Sequence, residues 1–142
     1  MKLFKHWIIV PATLAILATT SGGVRSQPLE LRPGFQPDPV VVNGTTGGSP
    51  ASTNCGVTGA TQNVQVSLGA NFNYLRFSVQ SSGQPTLLIE GPSGSSCIQA
   101  DSLSGGKIQA PGLWEQGLYK ISIGNRIEGQ HSYTLSITQS RN

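Results

Sequence analysis

Apolar and polar residues alternate one for one along three stretches of this chain: Tyr74-Leu75-Arg76-Phe77-Ser78-Val79, Leu118-Tyr119-Lys120-Ile121-Ser122-Ile123 and Tyr133-Thr134-Leu135-Ser136-Ile137. Successive side chains of a strand point to opposite faces, so each stretch predicts a strand with one buried and one wet face. The pattern predicts strands at Asn63 to Leu68, Tyr74 to Gln80, Thr86 to Glu90, Lys107 to Ala110, Leu118 to Gly124 and Ser132 to Thr138. Turn residues separate them at Gly69, Ser81-Ser82-Gly83, Gly91-Pro92-Ser93-Gly94, Gly105-Gly106 and between Gly124 and Gly129. Period-two spacing assigns Leu75, Phe77, Val79, Ile121, Ile123, Leu135 and Ile137 to the core. Leu88 is assigned with them, although Leu87-Leu88-Ile89 is continuously apolar. Many short strands, with no helical period after residue 20, predict an all-β fold, a small antiparallel sandwich or barrel over residues 54–142.

The two preceding segments are of different material. Lys2 and Lys5 lead into an apolar run from Trp7 to Ala18, followed by Thr19-Thr20-Ser21-Gly22-Gly23. This is the layout of a secretory signal peptide, residues 1–26, with cleavage after Ser26 or, alternatively, near Gly22 or Gly23. The run is short for a membrane span, so no stable insertion is expected after cleavage; an uncleaved anchor is the alternative. Residues 27–53 carry Pro28, Pro33, Pro37, Pro39 and Pro50 with several glycines and predict an extended, partly disordered lead-in. Within it Val40-Val41-Val42 is a candidate edge strand and Phe35 a candidate for packing onto the domain. Asn43-Gly44-Thr45 matches a glycosylation triplet and carries little weight in a bacterial-looking exported chain.

Removing the presequence changes the charge balance. The formal net charge is +3. Lys2, Lys5 and Arg25 all precede the cleavage point, leaving six basic residues against six acidic ones. A neutral mature chain gives no ground for a nucleic-acid or anionic-membrane partner. Cys55 and Cys97, an even pair in an exported chain, predict a disulfide, with two separate buried thiols as the alternative.

The inventory predicts no catalytic residue and no cofactor. The mature chain has one histidine, His131, read as a surface residue, and no nucleophile elbow. Glu90, Asp101, Glu115 and Glu128 are dispersed over strands and turns, a poor basis for a carboxylate pair. Asp101, with Gln99, Ser102 and Ser104 nearby, is the one weak calcium candidate; a single carboxylate makes a poor site, so no metal is expected. Trp114, Tyr119 and Tyr74 are the candidate ligand-binding residues, each joining an apolar body to a polar tip. For Trp114 a half-buried plug is the competing reading.

The ordered set Tyr74 to Val79, Leu87-Leu88-Ile89-Glu90-Gly91-Pro92, Cys97, Pro111-Gly112, Gly117-Leu118-Tyr119-Lys120-Ile121-Ser122-Ile123-Gly124 and Tyr133 to Ile137 resembles the bacterial pre-peptidase C-terminal domain. The opening from Leu31 to Pro39, followed by Gly47-Gly48, looks like the lead-in of small exported cyanobacterial proteins carrying such a domain. The resemblance implies a jelly-roll-like sandwich without catalytic residues, serving as an accessory, binding or secretion module. Relatives often place acidic residues directly after the cysteine matching Cys97; here Ile98-Gln99-Ala100 intervene before Asp101.

The sequence therefore points to an exported, periplasmic or extracellular, non-catalytic module that binds a glycan, a cell-envelope polymer or another exported protein. A purely structural envelope protein, an accessory acting in trans with a secreted peptidase, and a minor enzyme or inhibitor acting through an unrecognised site are the alternatives. An exposed aromatic cluster on one sheet face would favour glycan binding; scattered, buried aromatics would favour the structural role.

Overall fold

The computed structural model describes residues 27–46, 51–53, 55–58 and 63–142. The predicted signal peptide and Gly47-Gly48 lie outside these residues. Among the described residues eleven strands form: β1 Leu29–Leu31, β2 Val40–Thr46, β3 Ala51–Thr53, β4 Gly56–Thr58, β5 Asn63–Leu68, β6 Phe72–Ser81, β7 Pro85–Gly91, β8 Gly94–Gln99, β9 Lys107–Trp114, β10 Gly117–Asn125 and β11 His131–Thr138. They make a seven-stranded and a four-stranded sheet packed as a β-sandwich.

The four-stranded sheet runs β2-β11-β6-β9. In the other sheet β10 is central. Lys120, Ile121 and Ser122 pair with β5 and with β7, so these strands lie on opposite edges of β10. β8 continues beyond β7, β1 lies outside β5, and the short β3–β4 hairpin meets β10 at Asn125. All pairings are antiparallel except β1 with β5, which is parallel and departs from the purely antiparallel expectation.

That exception arises in the lead-in. Instead of a loose extended segment, residues 29–31 and 40–46 take places in opposite sheets, at the edges of each. Pro33, Pro37 and Pro39 all fall in the connecting loop, so they remove no ladder donor. Phe35 packs against Phe72 with ring centroids 6.1 Å apart. The Gly34 amide donates to Gln139 Oε1 at 2.7 Å, and Gln139 Nε2 donates to the Phe35 carbonyl, pinning this loop to the end of β11. Gly44, the middle of the glycosylation triplet, lies opposite Tyr133, and any Cβ there would collide with the Tyr133 ring. The triplet's glycine thus has a packing reason.

The core follows the alternation. Leu75, Phe77, Val79, Ile121, Ile123, Leu135 and Ile137 are all buried. Register stacks them in rows: Leu135 beside Val79 and Ile137 beside Phe77 in one sheet, Ile121 beside Ile89 and Ile123 beside Leu87 in the other. Leu88 is a correction: Leu87 and Ile89 face the core, while Leu88 is half-buried on the other face of the sheet, paired with Cys97. A continuous apolar run carries no phase, and the one-residue choice reverses the face. The strand ending at Ala110 extends to Trp114, because Pro111 sits on an edge strand, where a missing N–H costs no ladder bond.

The Cys55–Cys97 disulfide is formed, with Cα atoms 5.6 Å apart. It joins the β3–β4 turn to β8, an edge strand whose residues are exposed apart from Ile98.

Candidate functional site

The polar halves of the alternating strands converge on the outer face of the four-stranded sheet. Leu75, Phe77 and Val79 point inward, so Arg76, Ser78 and Gln80 of β6 point outward. Register places Thr134, Gln80 and Lys107 in one row across β11, β6 and β9. Ser136, Ser78 and Gln109 form the next, and Thr138, Arg76 and Pro111 the third. Short Ser78 and Ser136 at the middle and longer side chains around them leave a groove of about 510 Å³, closed at one end by Asp38 and the tail residues Ser140 and Asn142. Its polar side-chain groups are hydroxyls, primary amides, one guanidinium, one ammonium and one carboxylate.

The groove end at Arg76 is held by neighbouring groups. Arg76 Nη1 donates to the Tyr74 hydroxyl at 3.3 Å, and the Arg141 guanidinium lies 4.4 Å from the centre of the Tyr74 ring. Asp38 Oδ2 accepts from the Gln139 amide at 3.4 Å. Asp38 Oδ1 and Arg76 Nε are buried without a protein partner, so hydrogen-bonding capacity remains unspent at this end.

The three candidate aromatics do not form one platform. Tyr74 lies beside the groove with a ring face covered by Arg141. Trp114 and Tyr119 meet elsewhere, edge to face at 5.7 Å, and Trp114 also meets Phe77 edge to face at 5.0 Å. The Trp114 indole donates to the Leu75 carbonyl at 3.1 Å and the Tyr119 hydroxyl donates to the Glu115 carbonyl at 2.7 Å. With Tyr119 only 4% exposed and both polar tips satisfied internally, this pair plugs one end of the sandwich. It forms a wall of a smaller groove of about 240 Å³ below Ser93, Ser95 and Ser96. Burial, reinforced by the Glu115 carboxylate, raises the Tyr119 pKa above its ordinary value despite the opposing hydrogen bond, and burial alone raises that of Tyr133. Both phenols stay neutral through physiological pH.

The loops at the opposite end contain an arrangement the sequence did not reveal. Asn125 is 2% exposed and uses both ends of its amide: Oδ1 accepts from the Gln84 and Ile127 amides, and Nδ2 donates to the Ser82 carbonyl. His131 Nε2 faces the Ile127 and Glu128 carbonyls at 3.1 and 3.2 Å. Carbonyls only accept, so the neutral ring carries its proton there and Nδ1 accepts from Ser82 Oγ at 2.9 Å. A serine bonded to a histidine is half of a nucleophilic relay, but here backbone carbonyls take the position of the carboxylate that would stabilise an imidazolium. The pair fastens the β6–β7 loop to the β10–β11 loop. Asp101 is likewise engaged in its own turn: Oδ1 accepts from the Leu103 amide at 2.9 Å, and its carbonyl accepts from Ser104. Among the described residues no three His, Cys, Asp or Glu side chains cluster as metal ligands.

No family model matches the chain, and no solved structure matches it. An uncharacterized protein of Synechococcus elongatus is 36% identical over 139 residues, an alignment covering 95% of this chain and 96% of that protein. At that identity and coverage, this chain belongs to the same family as the Synechococcus elongatus protein.

Proposed function

We propose that this protein is an exported, non-catalytic β-sandwich that recognises a glycan of the cell envelope or extracellular matrix along the outer groove of the four-stranded sheet. The observation that carries this reading is the convergence of Ser78, Gln80, Gln109, Thr134 and Ser136 on one open groove. A sugar hydroxyl both donates and accepts, and Ser, Thr and Gln side chains can do the same, so such a surface matches a polyhydroxylated polymer. Recognition would rest on hydrogen bonds from the sheet, since the aromatics provide no stacking platform there.

A binding screen against glycans and cell-wall fractions tests the reading. Ser78→Trp fills the groove floor from an outward-facing position. It should weaken binding by at least about tenfold, a loss of about 1.4 kcal/mol, with an unchanged thermal midpoint. Equal binding by the variant would move the site off this face.

Export is part of the proposal. The Cys55–Cys97 disulfide is a bond of the kind that persists in oxidising compartments. Intact-mass measurement on protein from the native envelope fraction should show a chain lacking residues 1–26; a species retaining Met1 to Ala18 would contradict cleavage.

One observation favours a second reading, a structural envelope component. Trp114, Tyr119 and Tyr133 are spent on packing, the arrangement expected of a protein that presents no aromatic surface to a ligand. The resemblance to pre-peptidase C-terminal domains adds a third, an accessory acting in trans with a secreted peptidase.

A further inference from the structure

We infer that the ligand of this groove is acidic: a polysaccharide bearing carboxylate or sulfate groups, held by Arg76 at one end and Lys107 at the other. The inference rests on the glycan reading above and specifies its chemistry.

The formal neutrality of residues 27–142 conceals a segregation of charge. Of their six cations, Arg76 and Lys107 line the groove and Arg141 lies over Tyr74 beside it. Of their six side-chain carboxylates, Asp38 alone lines it. Glu30, Glu90, Asp101, Glu115 and Glu128 belong to the other sheet or to loops at the ends of the sandwich. Among the described residues neither Arg76 nor Lys107 forms an ion pair, whereas Lys120 on the opposite sheet lies 3.7 Å from Glu90. The groove face is therefore a positive surface on a neutral chain, with cations available to an incoming anion.

Spacing favours a polymer over a small anion. Lys107 pairs with Gln80, four residues along β6 from Arg76 and one strand across. The backbone positions are thus separated by about 13 Å along the strand and about 5 Å across it. Ser78, Ser136 and Gln109 occupy the interval, placing hydroxyl and amide groups between the charges. This layout suits a chain carrying anionic groups at intervals with neutral hydroxyls between them.

Biolayer interferometry on the purified chain, with dextran, dextran sulfate and polygalacturonate as probes, tests the inference. One or both acidic polymers should bind more tightly than dextran, and a preference between them identifies the anionic group. Binding should weaken as ionic strength rises from about 0.05 to about 0.5 M, as screening shortens the reach of the charges. Lys107→Gln, an exposed change that leaves the core untouched, should weaken acidic-polymer binding about fivefold, the worth of one surface ion pair. Lys120→Gln should leave it unchanged. Ser78→Trp should abolish it. Equal dextran and acidic-polymer binding, lost in Ser78→Trp but indifferent to Lys107→Gln, would overturn the acidic ligand while leaving the glycan site standing. Equal losses in Lys107→Gln and Lys120→Gln would reduce the effect to unspecific charge and overturn it. No binding to any of the three polymers would also overturn it, and the wider glycan screen then decides the parent reading.

Discussion

Phe77→Ala should destabilise the folded chain by about 3–5 kcal/mol, the range for truncating a fully buried aromatic. Phe77 has no exposed surface and lies in the middle of β6, between Ile137 of β11 and Ala110 of β9. Its ring meets Trp114 edge to face at 5.0 Å, so truncation removes an aromatic contact as well as buried area. Strand ladders on both sides hold the backbone in place, which limits how far the neighbours can move into the space left behind. For a domain of ordinary stability, about 5–15 kcal/mol in total, the loss is a large fraction of what holds it folded. Urea unfolding of wild type and variant measures it directly. Leu88→Ala, at a half-buried position on the opposite face of its sheet, should cost clearly less. A Phe77→Ala change below about 1 kcal/mol would place the ring in solvent and overturn the register of the four-stranded sheet.

The difference between Phe77 and Leu88 shows what the sequence made legible. Phe77 is flanked by Arg76 and Ser78, so alternation fixes its face; Leu88 is flanked by Leu87 and Ile89, and only the pairing with β10 decides which of the three points inward. β8 escaped detection for the converse reason. Gly94-Ser95-Ser96-Cys97-Ile98-Gln99 carries almost no apolar signal, because an edge strand held by a two-residue turn and a disulfide has little need to bury its side chains. β1 was hidden by Pro28 just before it and by the prolines of the loop after it, which say nothing against the three residues themselves.

The candidate site was less legible than the fold. Tyr74, Trp114 and Tyr119 were singled out by residue type, yet two of them serve the core and the third orients Arg76. The groove consists of ordinary solvent-facing positions, Ser78, Gln109 and Ser136 among them, from strands up to 58 residues apart in the chain. No local motif distinguishes such residues from any wet strand face; only register brings them into a row. The same holds for charge, since a net sum of zero is blind to which side of the sandwich the cations occupy. Asn125 was invisible for a related reason. An asparagine at a strand end reads as turn material, and its three hydrogen bonds to two loops appear only when those loops are brought together.

Removing the disulfide should cost about 2–5 kcal/mol, the usual range for a native bridge in a small domain. Cys55 and Cys97 are 42 residues apart, and closing a loop of that size restricts the unfolded chain by about 4 kcal/mol in the entropic account. The native structure adds a local reason for dependence on the bond. Among the described residues the β3–β4 hairpin pairs with β10 only at Asn125, and β8 pairs in its ladder with β7, so both partners are peripheral elements. Cys97→Ser, made at the exposed member of the pair, avoids burying a new hydroxyl at the position of Cys55, which is 1% exposed. Its urea midpoint should fall, and reductant should lower the wild-type midpoint by a similar amount while leaving the variant unaffected. Alkylation of the folded wild type without reductant should label neither cysteine. Labelling of both in folded protein would show that the bridge is absent, and equal stability of variant and wild type would show that β8 and the β3–β4 hairpin are held in place without the bridge.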